Sequence, residues 1–171
     1  MKSRVTERLK LQKLSMSDVD WLLELHTNPE VMKYIWPCYP KAVDLELERK
    51  RVAKMVDYNN SEPYFGYYGI SIPTSGKSIG WACLKHLDGG ALIEVGYRLF
   101  PEYWGKGYAT EAASNLMDMG WKEMNLQKIV GITAPANEAS KNVLLKLGLQ
   151  YVGRDHFYNT DVDFFEMKGT H

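Results

Sequence analysis

The sequence predicts an α/β domain in which helices cover one mixed, mostly antiparallel sheet. Two observations predict it. Three strand-like segments lie between tight-turn signals in the middle of the chain, and the later segments run strand, helix, strand, which makes a crossover. With 45% apolar and 25% charged residues, and no repeat or low-complexity linker, the 171 residues suit a single domain, 1–171, with a real core.

Taken in order, Val5 to Leu14 reads as a strand, because Leu9 and Leu11 alternate with polar neighbours. Ser17 reads as the N-cap of a helix carrying Val19, Leu22, Leu23 and His26 near one face, stopped at Asn28-Pro29. A charged helix follows from about Val43 to Tyr58, with Leu45, Val52, Met55 and Val56 as its apolar stripe. Tyr64 to Ile72, Ser78 to His86 and Leu92 to Phe100 then form an antiparallel meander, punctuated by Pro73-Thr-Ser-Gly76 and Asp88-Gly-Gly90. A helix at Gly107 to Glu123, a strand at Lys128 to Ala134, a helix at Glu138 to Leu147 closed by Gly148, and strands near Tyr151 to Tyr158 and Val162 to Lys168 complete the chain.

Lys plus Arg and Asp plus Glu each number 21, so no net charge draws the chain to nucleic acid or to an anionic membrane. Cys38 and Cys83 lack CxxC spacing and read as reduced, apolar thiols. His26, His86, His156 and His171 show no i, i+4 pairing, which predicts no metal site and surface or half-buried rings. Glu46 to Lys50 reads as a wet helix face. No apolar block has the length of a signal peptide or a membrane span, so the expectation is a soluble cytoplasmic protein.

The stretch Glu102-Tyr-Trp-Gly-Lys-Gly-Tyr-Ala-Thr-Glu-Ala112 begins a helix where its backbone is barest. Free N–H groups of a first helical turn favour an anion, and glycines there remove side chains that would keep a phosphate away. Both the dinucleotide fingerprint and the P-loop pattern fail here. On spacing alone, a phosphate loop and a merely structural strand-to-helix turn both remain open.

The loop resembles the pyrophosphate loop of the GNAT acyl-CoA-dependent N-acetyltransferases, Gln/Arg-x-x-Gly-x-Gly/Ala: Gly107 and Ala109 fit the last two positions, and Trp104 replaces the Gln or Arg. That replacement is familiar in the RimJ/RimL-like branch, the ribosomal-protein N-terminal acetyltransferases. Thr6-Glu-Arg-Leu9, Asn28-Pro-Glu-Val-Met32, Asn137-Glu-Ala-Ser140 and Lys146-Leu-Gly-Leu149 are similar to further stretches of that branch, in the same order. The resemblance implies acetyl-CoA as co-substrate, without a metal. Its pyrophosphate would be cradled by Gly105, Lys106, Gly107, Tyr108, Ala109 and Thr110 beside Trp104. Its pantetheine arm would pair with the strand end at Leu99 and Phe100, near Asn137.

Acetyl transfer to an amine needs a proton acceptor, an oxyanion donor and a proton for the leaving thiolate. Strand alternation sets Glu94 on the face shared with Leu92, Gly96 and Arg98, which makes it the candidate base, against an ion pair with Arg98 as the commoner reason for such spacing. By resemblance the oxyanion donor is a backbone amide near Phe100. Ser140 inherits the acid role, against a plain helix-capping role. Trp36 and Tyr39, in the Pro-bounded loop, are the candidate acceptor contacts. The implied acceptor is a primary amine, whether a protein N-terminus, a polyamine, an aminoglycoside or another small amine. A silent acyl-CoA sensor and a nucleotide-binding protein stay open as other classes, and a homodimer is expected on family grounds.

Overall fold

A computed structural model describes residues 3–35 and 44–169. Its strands are β1 (Arg4–Val5), β2 (Lys10–Lys13), β3 (Gly66–Ile72), β4 (Lys77–His86), β5 (Ile93–Leu99), β6 (Lys128–Thr133), β7 (Gln150–Phe157) and β8 (Thr160–Lys168). Its helices are α1 (Val19–Thr27), α2 (Pro29–Met32), α3 (Leu45–Ser61), α4 (Tyr108–Lys122) and α5 (Glu138–Lys146). The strands form a single sheet in the order β1-β2-β3-β4-β5-β6-β8-β7, in which only β5 and β6 run parallel.

Alternation along the strands feeds two large cores and a smaller cluster of Leu87, Val130 and Phe164. Ala82, Leu84, Ile93 and Val95 pack with Ala112, Ala113 and Leu116 of α4 on one face. Trp81 and Cys83 turn to the other face, against Leu22 and Leu25 of α1 and Val52 and Met55 of α3. The small residues of α4 let the helix lie close to the sheet, and Gly120 is packed against Ile129, Leu126 and Leu84.

Three sequence expectations need correction. The first strand is two short ones, because Thr6 Oγ1 accepts from Leu9 N–H at 3.0 Å and Thr6 N–H donates to Leu9 O at 2.9 Å, turning the chain in between. The first helix is entered through a 3₁₀ turn at Met16–Asp18, where Asp18 accepts from Ser15 N–H at 2.8 Å, so the cap stands ahead of Ser17. His26 and Glu48 are neither half-buried nor wet, since both side chains are 0% exposed and their atoms Nδ1 and Oε1 lie 2.7 Å apart. Trp81 Nε1 donates to His26 Nε2 at 3.2 Å, so Nδ1 carries the imidazole proton and donates it to Glu48.

Burial is the main reason that the His26 pKa is lowered from 6.5. Because the ring folds neutral, its contribution to stability is complete above about pH 6.5 and is lost as pH falls towards the lower folded value. Unfolding free energies from urea titrations should fall on the order of 1 kcal/mol between pH 7.5 and 5.5, a decrease that is absent in His26→Gln. A variant with the same slope as the parent protein would assign that decrease to other groups.

Candidate functional site

β5 and β6 share a single bridge, Glu94 to Val130, and part beyond it. A cavity of about 1060 Å³ runs through this opening. On the α4–α5 face its walls include Trp104, Gly105, Gly107, Tyr108, Ala109 and Thr110, together with Asn137 and Ser140. On the opposite face they include Tyr34, Arg51, Lys85, Glu94, Arg98 and Tyr158. The opening therefore joins the bare loop to the predicted base.

The loop is built for close approach. Gly105 and Gly107 have φ of +70° and +81°, a left-handed backbone that side chains rarely adopt, and a Cβ placed on Gly105 would meet nothing within 4 Å. The first bond of α4 runs from Glu111 N–H to Gly107 O at 3.0 Å, so the Tyr108, Ala109 and Thr110 amides precede the helical ladder. Trp104 anchors the loop, since its Nε1 donates to Leu99 O at 2.8 Å and ties this turn to the end of β5. Lys106 does not line the cavity, and its ammonium lies over the Tyr103 ring, 5.6 Å from the centroid.

Phe100 is a correction. Its N–H donates to Ile79 O at 3.0 Å, and its side chain packs with the α1–α3 core, so neither the predicted oxyanion role nor the predicted cofactor contact fits it. The alternation of an antiparallel pair explains this: Phe100 points its amide at β4, whereas Tyr97 and Leu99 turn theirs towards β6, from which β5 has already parted.

Glu94 is buried and shares the predicted face with Arg98, but its ion-pair partner is Lys85. The β4–β5 register sets these two residues directly opposite each other. Tyr158 donates to the same atom, Oε1, at 2.5 Å. No hydrogen bond to Oε2 is made among the described residues. Tyr158 sits in the β7–β8 turn at φ +50°, fixed by its N–H donating to Asp88 at 2.9 Å and its hydroxyl accepting from Asp88 N–H at 2.9 Å. Burial opposes the Lys85 ammonium, yet Glu94, Cys83, Tyr67 and Tyr158 together push its pKa up, so it stays charged. Burial, followed by the Glu94 charge, raises the Tyr158 phenol, which stays protonated.

Ser140 lies in the first turn of α5, where Asn137 is the cap and accepts from Ser140 N–H at 3.1 Å. The Ser140 hydroxyl is thereby left to another partner, the Tyr97 hydroxyl at 3.1 Å, and burial raises the pKa of that phenol. Cys83 also touches the cavity, and burial pushes its thiol up to about 12. Trp36 and Tyr39 lie outside the described residues. Lys85 and Tyr158 are the site residues that sequence reasoning missed. The hairpin register could have revealed Lys85, while Tyr158 arrives from 64 positions away with no local signal.

A family model for the acetyltransferase (GNAT) domain matches residues 8–150. Among curated proteins, the chain is 30% identical over 154 residues to the uncharacterized N-acetyltransferase p20 of Bacillus licheniformis, covering 90% of this chain and 85% of that protein. Among solved structures, a GNAT-family acetyltransferase from Bacillus anthracis superposes with a TM-score of 0.79 at 26% identity, covering 98% of each chain. RimL, a ribosomal L7/L12 alpha-N-protein acetyltransferase solved in complex with coenzyme A, superposes with a TM-score of 0.80 over 98% of each chain. At 19% identity that likeness is one of fold alone.

Proposed function

The chain belongs to the GNAT acetyltransferase family, and from that premise we propose that it moves an acetyl group from acetyl-CoA to a primary amine by direct attack within a ternary complex. The observation that carries this reading is the cavity through the sheet, which puts the bare Gly105–Thr110 backbone and the open oxygen of Glu94 on one continuous path. Acetyl-CoA would supply an activated thioester, and the remaining chemistry falls to side chains and amides of this chain.

The amides of Gly105 and of Gly107 to Thr110 hold the pyrophosphate at the positive end of α4. The Tyr97 and Leu99 amides, facing the gap beside β6, bind the arm and the developing oxyanion. Lys85 and Tyr158 orient Glu94 through Oε1, which leaves Oε2 to take the proton of the attacking amine, directly or through a water. The Ser140 hydroxyl, paired on the loop side with a Tyr97 hydroxyl whose own proton goes to Ser140 O at 2.9 Å, turns to return a proton to the thiolate. Asn137 caps the helix beside that arm and acts as a contact, not as a proton carrier. Burial raises the Cys83 thiol, which supports direct attack over an acyl-enzyme route.

The proposed acceptor is a protein N-terminal amine, with small amines as the other class. Trp36 and Tyr39 are proposed as acceptor contacts, in a homodimeric cytoplasmic enzyme. Release of CoA thiol on presenting N-terminal peptides, polyamines, aminoglycosides and simple amines is the decisive measurement. One amine class should turn over with intersecting double-reciprocal plots. Tight CoA binding with no release from any amine would instead establish a silent sensor. Stronger thermal protection by ATP than by CoA would point to a nucleotide site.

A further inference from the structure

The turn between β1 and β2 reaches the foot of the pyrophosphate loop, although about a hundred residues separate them in sequence. Glu111, in the first turn of α4, accepts four contacts from this turn. Thr6 Oγ1 donates to Oε1 at 2.6 Å and Arg8 N–H to Oε1 at 2.9 Å. Arg8 Nε donates to Oε2 at 2.7 Å, and Arg8 Nη2 stands 2.6 Å from Oε2. The other arm of the guanidinium, Nη1, donates to Lys106 O at 3.0 Å, within the loop itself. Its carbon lies 4.7 Å from the centre of the Tyr108 ring. Burial works against the Glu111 charge, but the bonds from Thr6 and Arg8 keep its carboxyl below the usual carboxylate range.

A carboxylate one turn into α4 would, by charge alone, repel an anion arriving at the same helix end. In this chain Arg8 neutralises that carboxylate, and the pair reaches the loop carbonyl of Lys106. We propose that Arg8 and Glu111 form a brace that positions the Gly105–Gly107 loop for the CoA pyrophosphate. Arg8 is a positioning residue: its planar fork spans the helix (Glu111) and the loop carbonyl (Lys106), which a point charge cannot do. The inference rests on the acetyl-CoA reading above.

Dissociation constants for CoA and for pantetheine, which keeps the thiol arm and lacks the pyrophosphate, test it by NMR titration of the full chain. Arg8→Ala should weaken CoA at least tenfold and leave pantetheine within twofold, and Arg8→Lys should recover less than half of the loss. Glu111→Gln gives the sign: a brace makes CoA bind more weakly, whereas removal of a repelling charge or release of Arg8 to contact phosphate makes it bind more tightly. Tighter binding in Glu111→Gln, full rescue by Arg8→Lys, or equal losses for CoA and pantetheine each overturn the brace. If the unmodified chain binds pantetheine and CoA equally or binds neither, the acetyl-CoA reading fails and the brace with it. Binding of CoA by the parent chain with unaltered variants removes the brace alone.

Discussion

Replacing Gly107 by Val is expected to raise the acetyl-CoA dissociation constant about a hundredfold, a loss near 2.8 kcal/mol, while unfolding free energy falls by only about 1–2 kcal/mol. Gly107 caps α4 at φ +81°, ψ 0°, and a β-branched residue there must leave the left-handed region. The loop sits at the surface and can shift without unsealing either core, so folding suffers only the local strain. Binding suffers more, because the amides of residues 108–110 then aim elsewhere and one or two charge-assisted hydrogen bonds are lost. Calorimetry of binding beside denaturant unfolding compares the two losses. If they are equal, the loop is only a structural turn.

The second large effect concerns Glu94. Glu94→Gln should lower kcat by about 10²–10⁴ while CoA affinity holds within a few fold, because the residue stands on the face away from the loop. The amide keeps the shape and an oxygen for Tyr158 but takes no proton. The kcat against pH profile on the true acceptor should therefore differ in shape from that of the parent protein. The substitution also leaves the Lys85 ammonium without its countercharge, so unfolding midpoints must accompany the kinetics. An unchanged profile on the true acceptor would reduce Glu94 to the partner of Lys85.

How far the site could be read from sequence depended on whether its signals were local. The meander β3–β5 was legible because Pro73-Thr-Ser-Gly76 and Asp88-Gly-Gly90 mark its turns, and strand alternation placed Glu94 on the correct face. The glycine loop was equally legible, since two positive-φ glycines two residues apart carry a conformational demand of their own. Glu48 was misread although a signal existed: Glu48, Val52, Met55 and Asn59 follow helical spacing and all four are buried. A carboxylate on an apolar stripe announces a buried partner, and His26 was available one helix away. Phe100 failed for a subtler reason. Which strand neighbour an amide faces depends on register with β4, and resemblance to a motif carries no such parity. Tyr158 and the contacts of Arg8 arise from packing between distant segments, where only the folded chain brings the groups together.

The parting of β5 from β6 has a consequence beyond catalysis. Strand edges that present unpaired amides usually lie at a sheet's border, where another chain can add to them and begin aggregation. Here the Tyr97 and Leu99 amides lie inside the sheet, with β4 behind them and α4 and α5 alongside. A narrow, flexible arm can enter such a slot, and the strand of a second protein, with side chains on both faces, cannot. On the proposed reading, opening the sheet at its middle gives the arm a strand-like docking edge that is hidden from the protein's neighbours.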